Sequence, residues 1–121
     1  MNSLIGYFGG KSRLAKQIIE RMPEHHCYCE PFAGAAWVFF KKDPSKVEIL
    51  NDLDGELANF WRVVQKHPEA FVEQFNRALV SRELFTQAKD SVPSTLTDLE
   101  RAARYYYLQR QCGRGYENWS T

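Results

Sequence analysis

Two acidic residues, Glu30 and Asp52, carry the most legible chemistry in this sequence. Each closes a short apolar run that reads as a strand, Cys27-Tyr28-Cys29 and Val47-Glu48-Ile49-Leu50-Asn51, and each is followed by a turn into a helix. In an open α/β sheet the loops at the carboxyl ends of the strands hold ligands. Two carboxylates ending neighbouring strands would therefore face one crevice, where a ligand with ribose hydroxyls and a cationic amino acid tail could bridge them. A charged hydrogen bond of that kind contributes about 1.5–3 kcal/mol. Gly34 would let the backbone approach such a ligand without a Cβ in the way. Phe32 and Leu53 could sandwich an adenine ring. No phosphate is implied. The pair Asp52-x-Asp54 also has a purely structural reading, as a helix N-cap after a strand.

Other residue clusters point to weaker chemistry. Gly9-Gly10-Lys11-Ser12 superficially resembles a nucleotide-triphosphate loop, but that pattern needs glycine at position 5 and finds Ile5. A turn into the first helix, with Lys11 aimed at a carboxylate, fits better. The run His25-His26-Cys27-Tyr28-Cys29 carries soft ligands at close range, and strand alternation would put both thiols on one face. It lacks a second Cys/His pair at zinc-like spacing, so two exposed histidines and two buried thiols are expected, and no metal. With Cys112 the cysteines number three, an odd set that favours reduced thiols.

These residues must be positioned by a modest frame. A chain of 121 residues suits one compact domain, and with 44% hydrophobic residues and a net charge of +1 it is neither disordered in composition nor basic enough to announce nucleic acid. The longest apolar run, Ala33 to Phe40, stops at Lys41-Lys42, far short of the ~20 residues of a membrane span. With no basic-then-apolar leader at its start, the sequence reads as soluble and cytoplasmic, without membrane contact.

Residues 12–22 predict an amphipathic helix with Leu14, Ile18 and Met22 on one face. A buried strand over 27–30, a short helix to about Phe40 and a second strand over 47–50 then make a β-α-β unit. From Asp54 to His67 the apolar positions Leu57, Phe60, Trp61 and Val64 keep helical spacing. A further helix from Pro68 carries Phe71, Phe75 and Leu79, with Trp61, Phe71 and Phe75 in the core. Ser81 to Asp90 reads as helix and 91–95 as linker. Thr97-x-x-Glu100 is a capping box opening a helix to about Arg110, with Leu99, Ala103 and Tyr106 inward, and 113–119 reads as loop or hairpin. Two strands are too few for a doubly wound sheet, so the chain reads as part of a larger fold.

Taken in order, Tyr7-Phe8-Gly9-Gly10-Lys11, Glu30-Pro31-Phe32-Ala33-Gly34 with Val38-Phe39-Phe40, and Asn51-Asp52 with Glu56-Leu57 and Asn59-Phe60 resemble the Dam-like family of adenine-N6 DNA methyltransferases of bacteria and phages. The match is good over about 5–75 and weak over 98–115. The resemblance implies a Rossmann-like, S-adenosylmethionine-dependent methyltransferase fold, here truncated and helix-rich in its second half. It assigns residues 1–92 to a partial cofactor-binding domain and 93–121 to the start of a DNA-recognition region. It also assigns cofactor binding to Tyr7, Phe8, Gly9, Lys11, Glu30, Phe32, Gly34 and Asp52, to which Leu53 is added from its place beside Asp52.

The implied activity is methyl transfer from S-adenosylmethionine to N6 of adenine in duplex DNA. Two departures stand out: many members have Gly-x-Gly where this chain has Gly34-Ala35-Ala36, and the family's Asp-Pro-Pro-Tyr motif is absent, since no two prolines are adjacent. No catalytic residue is therefore assigned. The chain would be inactive alone, needing a partner chain that supplies the catalytic half. The alternative is a non-catalytic phage or prophage remnant, or a cofactor- or DNA-binding module. Arg101, Arg104 and Arg110, interleaved with Tyr105-Tyr106-Tyr107, and Arg114 beyond them, resemble the approach to the family's DNA-contacting hairpin. Arg110 and Arg114 are the DNA-contact candidates, directed mostly at phosphates.

Overall fold

The structure, a computed structural model, describes residues 3–6, 10–76, 78–79 and 81–111. Its elements are α1 (Ala15–Glu20), β1 (Cys27–Glu30), α2 (Trp37–Lys41), β2 (Val47–Leu50), α3 (Gly55–Lys66), α4 (Pro68–Glu73), α5 (Arg82–Asp90), a 3-10 turn at Pro93–Thr95, and α6 (Asp98–Gln111). They divide into two compact units, Met1–Leu53 and Asp54–Thr121. Within the second unit α5 and α6 pack on each other.

In the first unit β1 and β2 pair in parallel, in the register Cys27↔Val47, Tyr28↔Glu48, Cys29↔Ile49 and Glu30↔Leu50. The unit is a small α/β structure with α2 as the crossover between its two strands. Alternation turns Tyr28, Glu30, Glu48 and Leu50 to the covered face. The opposite face carries Cys27, Cys29, Val47 and Ile49, and all four are exposed. The expectation of buried thiols is therefore corrected: strand period puts them on the side away from α2. The first helix is also shorter than its periodicity suggested. Only Ala15 is buried on α1, while Leu14 and Ile18 are exposed.

Two local devices hold the crossover. At its start Gly34 (φ 51°) and Ala36 (φ 53°, ψ 37°) both adopt the left-handed region. Gly34 does so without strain, whereas Ala36 bears a cost of about 1–2 kcal/mol at the position where a second glycine would fit the local backbone. At its end the Lys42 ammonium is buried. It donates to Asp43 O and Ser45 Oγ, each at 3.0 Å, and to Glu48, and lies 4.5 Å from the Tyr28 ring centroid. Glu48 also accepts from Ser45 N at 2.9 Å. Ser45 Oγ lies 2.8 Å from His25 Nε2, whose Nδ1 lies 2.8 Å from Pro23 O.

The second unit is a helical cluster. Asp54 caps α3 by accepting from Glu56 N and Leu57 N, and the expected capping box opens α6, with Thr97 N donating to Glu100 and Glu100 N to Thr97 Oγ1. Phe60, fully buried, is the hub: Trp61, Phe71, Tyr105 and Tyr106 all lie within ring-contact distance of it. Trp61 and Phe71 are buried as expected, and Phe75 packs edge-on against Phe71 at the core margin. The inward face of α6 is rotated from the expected one, with Ala102, Tyr105 and Leu108 buried. Leu99, Ala103 and Tyr106 are half-buried. The α4 helix ends at Glu73, leaving Leu79 outside it and exposed.

Two predictions follow the crossover. Glu48→Gln should destabilise the first unit by about 3 kcal/mol, because it leaves the buried Lys42 charge uncompensated. Burial pushes the Glu48 carboxyl up, but the Lys42 hydrogen bond, the Ser45 amide and the charges of Lys42 and His25 outweigh it and hold the group below its ordinary value. Its stabilisation is therefore present above the unfolded carboxylate range and lost as pH falls through the lower folded value. Denaturant titrations should show the gap between wild type and Glu48→Gln closing on acidification; a gap independent of pH contradicts the assignment. Ala36→Gly should be near neutral, since relief of ~1–2 kcal/mol is offset by a lost buried methyl of ~0.8 kcal/mol and glycine's backbone entropy of ~0.5–1 kcal/mol. Ala36→Val should cost about 2–3 kcal/mol, read by the same titration.

Candidate functional site

The crevice is built by continuing the β1–β2 pairing past the strands. Asn51 N donates to Glu30 O at 2.9 Å, Ala33 N donates to Asn51 O at 2.8 Å, and Asn51 Nδ2 reaches Pro31 O at 3.3 Å. The 30–34 turn is thereby laid beside the 51–53 segment. Asp52 closes the gap between them: its Oδ2 accepts from Gly34 N at 2.9 Å. Asn51 is thus a backbone clamp between the two loops, a role that leaves no pattern in residue type.

Glu30 is 7% exposed, and both its oxygens are engaged. Oε1 lies 3.4 Å from Lys11 Nζ, and Oε2 accepts from Phe39 N at 3.2 Å, in the first turn of α2. Lys11 Nζ also donates to Phe32 O at 3.0 Å. Lys11 therefore does meet a carboxylate, as its place after the glycines suggested. Burial, and then the Glu30 charge, raises the Tyr28 phenol above its usual value, so it stays protonated beside the carboxylate.

Two apolar side chains stand open at the same end of the sheet, Phe32 at 74% and Leu53 at 92% exposure. Solvent-exposed phenyl and isobutyl groups flanking a half-buried carboxylate are unusual for a closed core, since each forfeits about 1.5–3 kcal/mol of burial. They offer flat apolar surface to a planar ring, with Asp52 as a hydrogen-bond acceptor beside it. The donor set thus fits a nucleoside in type: apolar walls, an acidic acceptor and a loop carrying Gly34 in place of a side chain.

Of the expected cofactor residues, the structure brings together Lys11, Glu30, Phe32, Gly34 and Asp52, with Leu53 next to Asp52. Tyr7, Phe8 and Gly9 lie outside the described residues, as do Arg114 and the expected 113–119 hairpin. Arg110 is exposed near the end of α6. The other arginines of that helix are spent on the second unit itself. Arg101 pairs with Glu56 at 2.7 Å and with Asp98 at 3.4 Å, and Arg104 donates to Ala88 O, Lys89 O and Ser91 Oγ. Among the described residues no group of three or more His, Cys, Asp or Glu side chains gathers as a metal site would require, and no helix is long and apolar enough to cross a membrane.

Known proteins are similar to this chain in sequence. The family model for the D12 class of N6 adenine-specific DNA methyltransferases matches residues 7–121. The type II methyltransferase M1.LlaDCHI of Lactococcus lactis subsp. cremoris is 32% identical over 109 residues, covering 84% of this chain and 38% of that protein. The DNA adenine methylase of Escherichia coli K12 is 27% identical over 112 residues, 89% of this chain and 40% of that protein. The DNA N-6-adenine-methyltransferase of Escherichia phage P1 is 27% identical over 117 residues, 93% of this chain and 15% of that protein. The chain therefore spans two-fifths or less of the length of these relatives. With a family match running from the Tyr7 segment to the last residue, the chain belongs to the D12 class of N6 adenine-specific DNA methyltransferases.

Proposed function

We propose that this chain provides the S-adenosylmethionine-binding portion of a DNA adenine-N6 methyltransferase, with β1 and β2 forming part of a Rossmann-like sheet. The observation that carries this reading is the open pair Phe32 and Leu53 beside Asp52, in a chain of a family named for adenine-specific methylation. On this reading Phe32 and Leu53 flank the adenine ring, and Asp52 accepts from the ribose hydroxyls. Lys11, Glu30 and Gly34 set the loop between them, and Tyr7, Phe8 and Gly9 complete the site from the segment before Lys11.

S-adenosylmethionine would supply an activated methyl group on its sulfonium. The exocyclic nitrogen of adenine is a poor nucleophile because its lone pair is delocalised into the ring. A methylating site must therefore take the base out of the stack, accept hydrogen bonds from its amino group, and hold the nitrogen in line with the methyl. The acceptor motif is not among these 121 residues. On this reading another stretch of polypeptide carries it, and the present residues bind and orient the methyl donor. Residues 1–92 then serve the cofactor and 93–121 open the DNA-recognition region, with Arg110 and Arg114 directed at phosphates of duplex DNA.

Calorimetric titration with S-adenosylmethionine tests the reading. Saturable binding is expected, with Asp52→Ala weakening it by about 1.5–3 kcal/mol while the far-ultraviolet spectrum stays unchanged. A folded chain that shows no binding, or equal affinity in the variant, overturns the site. For DNA, Arg110→Ala should weaken binding uniformly across sequences and lower the slope of log affinity against log salt by about 1. An unchanged slope removes Arg110 from the interface.

A further inference from the structure

Ala35 is 1% exposed, and the carbonyl of so enclosed a residue needs a donor. The nearest candidate along the chain is the amide of Phe39, four residues on, as in a helix. That amide is given to Glu30 Oε2 instead, at 3.2 Å. Among the described residues the Ala35 carbonyl is met by the Ser3 hydroxyl, from 32 residues upstream. The same Ser3 oxygen accepts from Ile5 N at 3.4 Å, a local side-chain turn that shapes the incoming chain. Ile5 itself is buried at 2% exposure. Ser3 thus spends its single O–H donor and one lone pair on seating the N-terminal residues against the loop after β1.

That loop is the one that carries Gly34 to the crevice. Asp52 Oδ2 holds the Gly34 amide at 2.9 Å, and Ser3 holds the carbonyl one residue further on. Between and beside the two grips the backbone follows neither helix nor strand, with Gly34 at φ 51° and Ala36 at φ 53°. We infer that Ser3 is a positioning residue for the crevice: its hydroxyl fixes the Gly34-Ala35 backbone and so keeps the Gly34 amide on Asp52. This rests on the nucleoside site proposed above and adds to it a residue that no sequence pattern marks. A loop held in place before the ligand arrives has less ordering left to do on binding. The contribution of Ser3 to affinity therefore passes through the contact between Gly34 and Asp52, and it should vanish when that contact is removed.

The test is calorimetric titration of S-adenosylmethionine into wild type, Ser3→Ala, Ser3→Thr, Asp52→Ala and the double variant of Ser3→Ala with Asp52→Ala. Ser3→Ala should weaken binding by about fivefold, the scale of one hydrogen bond in an equilibrium constant, with an unchanged far-ultraviolet spectrum. Ser3→Thr keeps the hydroxyl and should restore most of the affinity. In the Asp52→Ala background Ser3→Ala should change little, because residues that act through one contact are not additive. Unchanged affinity in Ser3→Ala overturns the inference while leaving the crevice assignment standing. So does the same fivefold loss repeated in the Asp52→Ala background, which would make Ser3 an independent contributor. Failure of Ser3→Thr to restore binding also overturns it, since the loss would then come from packing. Absence of binding to wild type removes the crevice assignment and the inference with it. If Ser3→Ala does not fold, Ser3→Cys, which keeps the size of the side chain but offers only a weak donor, is set against Ser3→Thr. The cysteine variant should bind more weakly, and equal affinities overturn the inference.

Discussion

The first unit depends on a single constraint: the loop after β1 must turn the chain into α2 without stranding a buried charge. Glu30 stands at the strand end with almost no exposure, and an unpaired carboxylate there would cost several kcal/mol. The Phe39 amide and the Lys11 ammonium compensate it. Because one of those partners is the first turn of α2 and the other reaches the Phe32 carbonyl, neutralising the charge also fixes the loop. Asp52 performs the matching task from the second strand, accepting from Gly34 N. The crevice is thus a by-product of charge satisfaction at two adjacent strand ends, and its open apolar walls sit on a scaffold that those carboxylates have made rigid.

The same economy appears at the far end of the crossover, where Lys42 is enclosed by Glu48, Ser45 and two backbone or ring neighbours. Between these two polar anchors lies, among the described residues, a sheet of two strands, covered on one face. Parallel strands usually have both faces covered, and a pair of strands is marginal by itself. The bare face is apolar in register: Cys27 sits opposite Val47, and Cys29 opposite Ile49. The relatives have more than half their length outside the matched stretch. Elements laid on that face would gain apolar burial.

Much of this was legible in the residues. Short apolar runs bounded by turn residues located both strands, and Thr97-x-x-Glu100 located the start of α6, because a capping box is a local pattern with a local cause. Lys11 aimed at a carboxylate was legible once the nucleotide-triphosphate pattern failed at Ile5, although the partner, Glu30, lies on the following strand. What remained hidden was set by tertiary neighbours. Lys42 reads as the polar stop of an apolar run, and only the return of β2 brings Glu48 to it. The thiols of Cys27 and Cys29 read as core because their strand is short and apolar, and which face α2 covers is not written in the strand. Ala36 read only as a departure from the second glycine of Gly-x-Gly. The left-handed φ shows that the position does call for glycine and that the chain accepts the strain, with the buried methyl as its compensation.

The arginines of α6 show why composition could not settle the question of DNA. Read as a stripe, Arg101, Arg104 and Arg110 alternate with tyrosines in the manner of a nucleic-acid surface. In place, Arg101 is tied to Glu56 and Asp98, and Arg104 to the end of α5. An arginine held in this way has several of its donors engaged by the protein, and moving it to a phosphate would break those bonds. Only Arg110, among the described arginines of the helix, keeps its side chain in solvent at the end nearest the resembled hairpin. The field this helix projects is therefore weaker than its sequence suggests. A single exposed cation gives non-specific, salt-sensitive attraction and little more.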